Sequence, residues 1–117
     1  MADKSNNFRK LVKDSTGSSM PVGQTFMAQD ETGSPKTSPL SVSSSVITLT
    51  VPARAVEFIC VASAACRISA LNNNPASAPY FVLPAGIPMT FPVSNQDALY
   101  VVRDSSDLTL NFYFVIV

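Results

Sequence analysis

The chain has 117 residues, with eight basic and eight acidic side chains and a formal net charge of zero. A chain of this length builds one domain, and its neutrality gives no overall attraction to nucleic acid or to an anionic membrane. Histidine is absent and only two cysteines occur, which argues against histidine-based nucleophilic catalysis and against a four-ligand zinc site.

The residue types favour an all-β fold. The chain contains nine prolines, many serines and threonines, and little helical periodicity, which is typical of short strands joined by turns. No run approaches the roughly 18 apolar residues of a membrane-spanning helix. The first residues lack the apolar core of a signal peptide, so we expect the protein in the cytoplasm of the producing cell. We predict an antiparallel β-sandwich, with a jelly roll as one form of it, preceded by an extended N-terminal arm.

The predicted arm covers residues 1–45, and the predicted sandwich domain covers residues 46–117. Apolar residues are sparse in the arm, so this segment alone cannot bury enough surface to offset its ordering entropy. Two interpretations follow. The arm is held against a partner subunit or a larger assembly, or residues 20–45 wrap the chain's own sandwich. A short strand is expected at 24–27, which includes Phe26.

A basic and apolar patch lies near the start of the arm. Its members are Phe8, Arg9, Lys10, Leu11, Val12 and Lys13. Three charges on an arm could touch nucleic acid, but they more often meet an acidic protein surface or stay solvated. We therefore expect these six residues to bind a protein partner, and we expect no nucleic-acid partner.

From residue 46 onward, apolar and polar residues alternate with the period of two that marks a half-buried strand. Ile47 and Leu49 point inward on the first strand, and Phe58 and Cys60 point inward on the second. Pro92 places its strand at the edge of a sheet, because proline cannot donate to a central ladder. Seven strands are predicted, at 46–51, 56–60, 66–70, 80–83, 89–93, 98–103 and 108–117.

Cys60 and Cys66 flank a predicted hairpin loop at 62–64. In that register the two side chains face each other and point inward, so they could form a disulfide if the geometry allows. The alternative, which we favour because no export signal is present, is a pair of buried free thiols. The same register brings Glu57 and Arg67 together diagonally as a surface ion pair.

The last two strands are predicted to form a hairpin that pairs Arg103 with Leu108 around a polar turn. From Phe112 onward the alternation fails and both faces are apolar, which is typical of a strand covered on both sides. A neighbouring subunit or an arm could cover the outer face, or that face could stay half-exposed. Under the first interpretation the partner-binding residues of this region are Tyr113, Val115 and Val117, and Phe26 is a further partner-binding residue in the arm.

Acidic residues cluster in the closing turns, namely Asp97, Asp104 and Asp107. A paired-carboxylate catalytic site is conceivable there. Aspartate in a turn far more often accepts hydrogen bonds from the backbone, so we favour that role. We expect no enzyme activity, no cofactor and no metal.

Three aromatic residues could line a sugar-binding face beside the loop at 72–74. They are Tyr80, Phe81 and Tyr100. Packing in the core or in an interface is the commoner role of such side chains, so we favour it. A carbohydrate- or receptor-binding β module therefore remains the alternative to a structural role.

Residues 46–117 resemble the small β-sandwich structural proteins of tailed-bacteriophage virions. The resemblance is carried by ITLTVPARAVEFICVAS, by YFVLPAGIPMTFPV and by ALYVVRDSSDLTLNFYFVIV, which together set out a similar order of strands and turns. Among those proteins the chain is most like capsid decoration (cement) proteins.

The resemblance implies a structural role at the outer surface of a capsid. Decoration proteins are typically homotrimers that bind the major capsid protein and stabilise the head shell, with extended arms that clasp neighbouring capsid subunits. A predicted core of about 72 residues is small enough for association to be a common source of stability. Another virion role, such as a head–tail adaptor or tail protein, is equally compatible with the pattern, and no membrane partner is expected.

Overall fold

The structure is a computed structural model and describes residues 23–117. These residues form eleven β-strands and no helix. The strands are β1 (Gly23–Thr25), β2 (Met27–Gln29), β3 (Pro35–Thr37), β4 (Leu40–Val42), β5 (Ile47–Thr50), β6 (Ala55–Ala62), β7 (Cys66–Ser69), β8 (Phe81–Leu83), β9 (Met89–Pro92), β10 (Ala98–Arg103) and β11 (Leu108–Ile116). All their ladders are antiparallel, which confirms the predicted fold class.

The strands form two sheets. In the first sheet β11 lies between β6 and an edge that β1 and β4 share, and β9 forms the other edge. The second sheet has the order β3-β2-β5-β10-β7-β8. Pro92 lies in β9, and the predicted edge position of its strand is confirmed.

The eight strands from β4 through β11 pair with one another in the pattern of a jelly roll. β4 pairs with β11, β5 with β10, β6 with β9, and β7 with β8. All four ladders are centred near Asn74–Pro75, so residues 40–110 make one long hairpin that is wrapped into a sandwich. Wrapping then brings β6 against β11 and β7 against β10, a strand order characteristic of jelly rolls.

Strand alternation builds one core between the sheets. Phe58 and Cys60 of β6 and Phe112 and Phe114 of β11 are fully buried, as are Leu49 and Val101 from the other sheet. The Phe58 ring contacts those of Phe112 and Phe114, with centroid distances of 5.8 and 4.9 Å. Cys66 of β7 is fully buried and Ile47 of β5 packs against this core, so the inward positions predicted for β5, β6 and β7 are confirmed.

The predicted terminal hairpin is wrong. β10 belongs to the second sheet, where Arg103 pairs with Cys66, whereas β11 belongs to the first sheet, where Leu108 pairs with Val42. The turn between them crosses from one sheet to the other. A short polar turn between two alternating strands is compatible with either arrangement, because both strands direct their apolar residues toward the same core.

The predicted hairpin around residues 62–64 is wrong for the same reason. β6 and β7 lie in different sheets, so Cys60 and Cys66 approach the core from opposite sides. Both are free thiols, as we favoured. The predicted Glu57–Arg67 ion pair is also wrong, since Nε of Arg67 lies 2.8 Å from Oδ1 of Asp104.

Residues 23–45, placed in the arm from the sequence, form β1 to β4. β1 and β4 pair with β11, β2 pairs with β5, and β3 pairs with β2. This part of the predicted arm therefore wraps the chain's own sandwich, as the second interpretation proposed. Strands on the two sides of the predicted boundary at residue 45 therefore pair with each other in the same sheets. Residues 1–22 lie outside the described residues.

Candidate functional site

The outer face of the first sheet carries an unusual number of apolar side chains. Tyr113 pairs with Ile59 across β11 and β6, and Val115 and Val61 lie on the same outward face. All four are half-buried. An outer sheet face that meets only water is normally polar, so this face carries an excess of apolar surface.

Phe26 covers one side of this face. It follows β1 directly, and its ring lies 5.8 Å from the ring of Tyr113. Its carbonyl accepts a hydrogen bond of 2.8 Å from the Ser38 amide, while the Ser38 hydroxyl accepts one of 3.0 Å from the Phe112 amide. Ser38 thereby occupies the edge of β11 between the stretches that pair with β4 and with β1.

A groove of about 490 Å³ remains beside Phe26. We call it the outer groove. It is lined by Phe26, Ser38, Pro39, Ile59, Cys60, Val61, Pro88, Asn111, Phe112 and Tyr113. None of these residues is charged, so the outer groove fits an apolar side chain better than a polar ligand.

The predicted partner-binding residues are only partly brought together. Phe26 and Tyr113 are in contact, and Val115 lies one step along the same face, opposite Gln24 of β1. Val117 lies beyond the end of β11, and its amide donates to the Arg54 carbonyl at 3.1 Å. The predicted site residues Phe8, Arg9, Lys10, Leu11, Val12 and Lys13 lie outside the described residues.

A second apolar surface lies where the edges of the two sheets meet. Phe81 of β8 packs against Phe91 of β9 with ring centroids 5.6 Å apart, and beside them opens a groove of about 400 Å³. We call it the edge groove. It is lined by Ile68, Ser69, Ala70, Leu71, Pro79, Tyr80, Phe81, Phe91, Pro92, Gln96 and Leu99.

Large apolar side chains are exposed at the edge groove. Leu71 is 90% exposed and Phe81 is 48% exposed, and no lining residue carries a charge. Sequence reasoning assigned Phe81 to a core or an interface but missed Leu71, because an isolated leucine before an asparagine-rich loop has no periodic signal. Its exposure follows from the loop conformation alone.

Arg67 fastens the loop that borders the edge groove. Its Nη1 donates to the Ala76 carbonyl at 2.9 Å, and its guanidinium lies 4.4 Å from the centre of the Tyr80 ring. The hydrogen bond to Asp104 is the main reason that the pKa of Arg67 is raised. Arg67 therefore acts as a structural clamp and keeps its positive charge.

Asn72, at the start of the loop considered for sugar binding, has its polar groups occupied. Its Nδ2 donates to the carbonyls of Ser77 and Pro79 at 2.8 and 2.7 Å, and its Oδ1 accepts from the Asn74 amide at 3.0 Å. A side chain engaged in this way shapes the loop and has little capacity left for a ligand.

Two aspartates of the closing turns have basic partners, and both cysteines are buried. Asp104 and Asp107 bind Arg67 and Arg103 at 2.8 and 2.7 Å. Burial raises the pKa of Cys60 to about 12 and that of Cys66 to about 11, so neither is a ready thiolate. Within residues 23–117 no group of three His, Cys, Asp or Glu side chains could hold a metal ion.

No known protein family, curated protein or solved structure matches the chain. The described residues also contain no helix that is long and apolar enough to cross a membrane. The site is thus defined by its geometry, which consists of two uncharged apolar grooves on a small jelly roll.

Proposed function

We propose that this chain is a structural virion protein, a capsid decoration protein that binds and stabilises the head shell as a homo-oligomer. The observation that carries the proposal is the edge groove, where Leu71 and Phe81 expose large apolar surfaces without a charged neighbour in the lining. Contiguous exposed apolar surface of this kind marks protein–protein contact.

The edge strand next to this groove supports the same role. β8 consists of Phe81, Val82 and Leu83, and it pairs with β7 on one side only. Sheet edges in monomeric proteins usually carry charges, bulges or a cover that prevents pairing with another chain. β8 carries no charge, which favours contact with a further copy or with a capsid subunit.

The jelly-roll fold is compatible with this role but does not distinguish it from other functions. Jelly rolls occur in viral capsid proteins and also in lectins, and a fold by itself does not define a function. The resemblance of residues 46–117 to decoration proteins supports a trimer on the outer capsid surface, with the major capsid protein as partner. A head–tail adaptor or tail protein would use the same apolar surfaces.

A carbohydrate- or receptor-binding module is the alternative. The exposed Tyr80 and Phe81 favour it, because sugar rings stack on aromatic side chains. The hydrogen bonds that occupy Asn72 and the uncharged lining of the edge groove weigh against it, since sugar recognition needs free polar groups. We therefore place shell binding first.

The test uses purified full-length chain and capsid shells of the virus whose genome encodes it. The wild type is expected to scatter light as an oligomer at micromolar concentration and to co-sediment with the shells. Leu71→Asp is expected to weaken both associations at least tenfold, because it places a charge in an apolar contact. The fold should be kept, since Leu71 is 90% exposed.

Ile87→Asp is the matched control. Ile87 is exposed but does not line the edge groove, so this variant should associate like the wild type. The proposal is contradicted if the wild type is monomeric and does not bind shells, or if Leu71→Asp binds them as well as the wild type does. Binding in a glycan screen without shell binding would establish the alternative.

A further inference from the structure

The outer groove contains apolar surface that Phe26 covers only in part. Phe26 itself is 55% exposed, and Ile59, Val61 and Tyr113 remain half-buried around the groove. We propose that residues 8–13 of this chain bind the outer groove of the same copy and cover it. The inference is independent of shell binding, because it concerns the isolated protein.

The chemistry of the two surfaces is complementary. Residues 8–13 contain the apolar Phe8, Leu11 and Val12 and three positive charges. The lining of the outer groove is uncharged, and transfer of the Phe8 or Leu11 side chain from water into such a place is favourable.

One acidic side chain stands on the same sheet face. Among the outward positions of the described strands of the first sheet, Glu57 is the one charged residue. It is exposed and lies opposite Val115 of β11 and Pro92 of β9. A basic segment that enters the groove therefore meets a single negative charge and no positive one on this face, and Arg9, Lys10 or Lys13 can pair with it.

The length of the connecting segment fits binding within one copy. The described chain begins at Gly23, which pairs with Ile116 of β11. Residues 14–22 can span about 30 Å at roughly 3.3 Å per residue. The outer groove lies about 10 Å from the Gly23–Ile116 pair in the direction of β11. It also lies about 10 Å from β1 across the sheet, which is two strand spacings. Such a short tether gives a local concentration near the millimolar range, which favours the same copy over a second one.

The test is photo-crosslinking in the full-length chain. p-Benzoylphenylalanine replaces Phe8, the isolated protein is irradiated, and the crosslinked residues are located by mass spectrometry. Mixing unlabelled and ¹⁵N-labelled protein before irradiation distinguishes crosslinks within one copy from crosslinks between copies. We expect crosslinks to residues 59–61 or to Tyr113, within one copy only.

Three variants test whether the groove determines the crosslink. Val61→Asp should lower the yield at least fivefold, and Glu57→Lys should lower it about twofold because it replaces attraction by repulsion. Leu71→Asp in the edge groove is the matched control and should leave the yield unchanged. Circular dichroism verifies that each variant is folded before irradiation.

Three results would overturn the inference: crosslinks that fall outside the outer groove, crosslinks that join different copies, or no crosslinks at all. An unchanged yield in folded Val61→Asp would also overturn it. None of these results bears on shell binding, which is measured separately by co-sedimentation. Loss of shell binding with an intact crosslink would instead contradict the proposed function alone.

Discussion

Burial determines the chemistry of Cys60 and Cys66. Both thiols face the core from opposite sheets, and their pKa values are raised to about 12 and about 11, mainly by desolvation and, for Cys60, also by the nearby Cys66. In the unfolded chain the same thiols ionise near pH 9.0. The folded state therefore keeps protons that the unfolded state loses above that pH.

This difference predicts a loss of stability at high pH. The contribution of the two thiols is complete below pH 9, and it falls as the pH rises from 9 toward about 11 for Cys66 and about 12 for Cys60. We expect the free energy of unfolding, measured by urea titration, to be lower at pH 10.5 than at pH 8 by on the order of 4 kcal/mol, with about 2 from each thiol. A Cys60→Ala and Cys66→Ala double variant controls for tyrosine ionisation, and an equally large loss in that variant would contradict the assignment to the thiols.

Arg67 joins β7 to the loop before β8 and to the turn between β10 and β11. It binds Asp104 and the Ala76 carbonyl, and it covers the Tyr80 ring. Removing a partly buried guanidinium leaves these partners without their donor. Arg67→Ala is therefore expected to lower the midpoint of a urea titration clearly, and by more than a substitution of an exposed arginine does.

Arg103 provides the matched control for Arg67. Its partner Asp107 is largely exposed, with a side-chain exposure of 70%, and surface pairs of this kind contribute little. Arg103→Ala should change stability by less than about 0.5 kcal/mol. Equal effects of the two substitutions would show that Arg67 is not a clamp.

At the scale of the element, the β2–β3 hairpin depends on Asp30. Its Oδ1 accepts hydrogen bonds from the Thr32 hydroxyl at 2.7 Å and from the amides of Thr32 and Ser34 at 2.9 Å each. The hydrogen bond from the Thr32 hydroxyl is the main reason that the pKa of Asp30 is lowered. The carboxylate thus stabilises the turn above the carboxyl's unfolded-state pKa and loses this effect as the pH falls through the lowered folded-state value.

Replacing Asp30 should loosen this hairpin and leave the rest of the sandwich unchanged. In Asp30→Ala we expect amide hydrogen exchange in β2 and β3 to become about tenfold faster, while exchange in β5 and β10 stays the same. Glu31→Ala, one residue along the same turn, should exchange like the wild type. A uniform increase across both sheets would contradict a local role of Asp30.

At the scale of the whole molecule, both sheets enclose one core. The ring of Phe58 in β6 packs against Phe112 and Phe114 of β11 and lies 6.5 Å from the ring of Phe91 in β9. A fold with a single shared core is expected to unfold in one cooperative transition. Loss of a central ring should therefore destabilise both sheets together.

Phe58→Ala tests this cooperativity. We expect it to lower the free energy of unfolding by about 3–5 kcal/mol, the usual effect of removing a buried aromatic ring. Far-ultraviolet circular dichroism and tyrosine fluorescence should report the same lowered urea midpoint. Phe26→Ala removes a ring that is 55% exposed and should have a much smaller effect. Separate midpoints for the two probes would contradict a single cooperative transition.

The sequence by itself determined the fold class and most strand positions. A period of two in hydrophobicity is a local property of the chain, so the predicted inward residues of β5, β6 and β7 could be recognised without knowledge of their neighbours. The loss of alternation after Phe112 likewise indicated Tyr113 and Val115 as apolar residues on an outer face. Proline chemistry placed β9 at an edge.

The tertiary structure alone decided which strands pair. From β4 to β11 every pair of successive strands except β7 and β8 lies in opposite sheets, and partners such as Leu108 and Val42 are far apart in sequence. A turn does not reveal whether it closes a hairpin or crosses between sheets, because both strands face the same core in either case. The edge groove depends on this same long-range pairing, which brings β8 beside β9, and the exposure of Leu71 depends on the conformation of its loop.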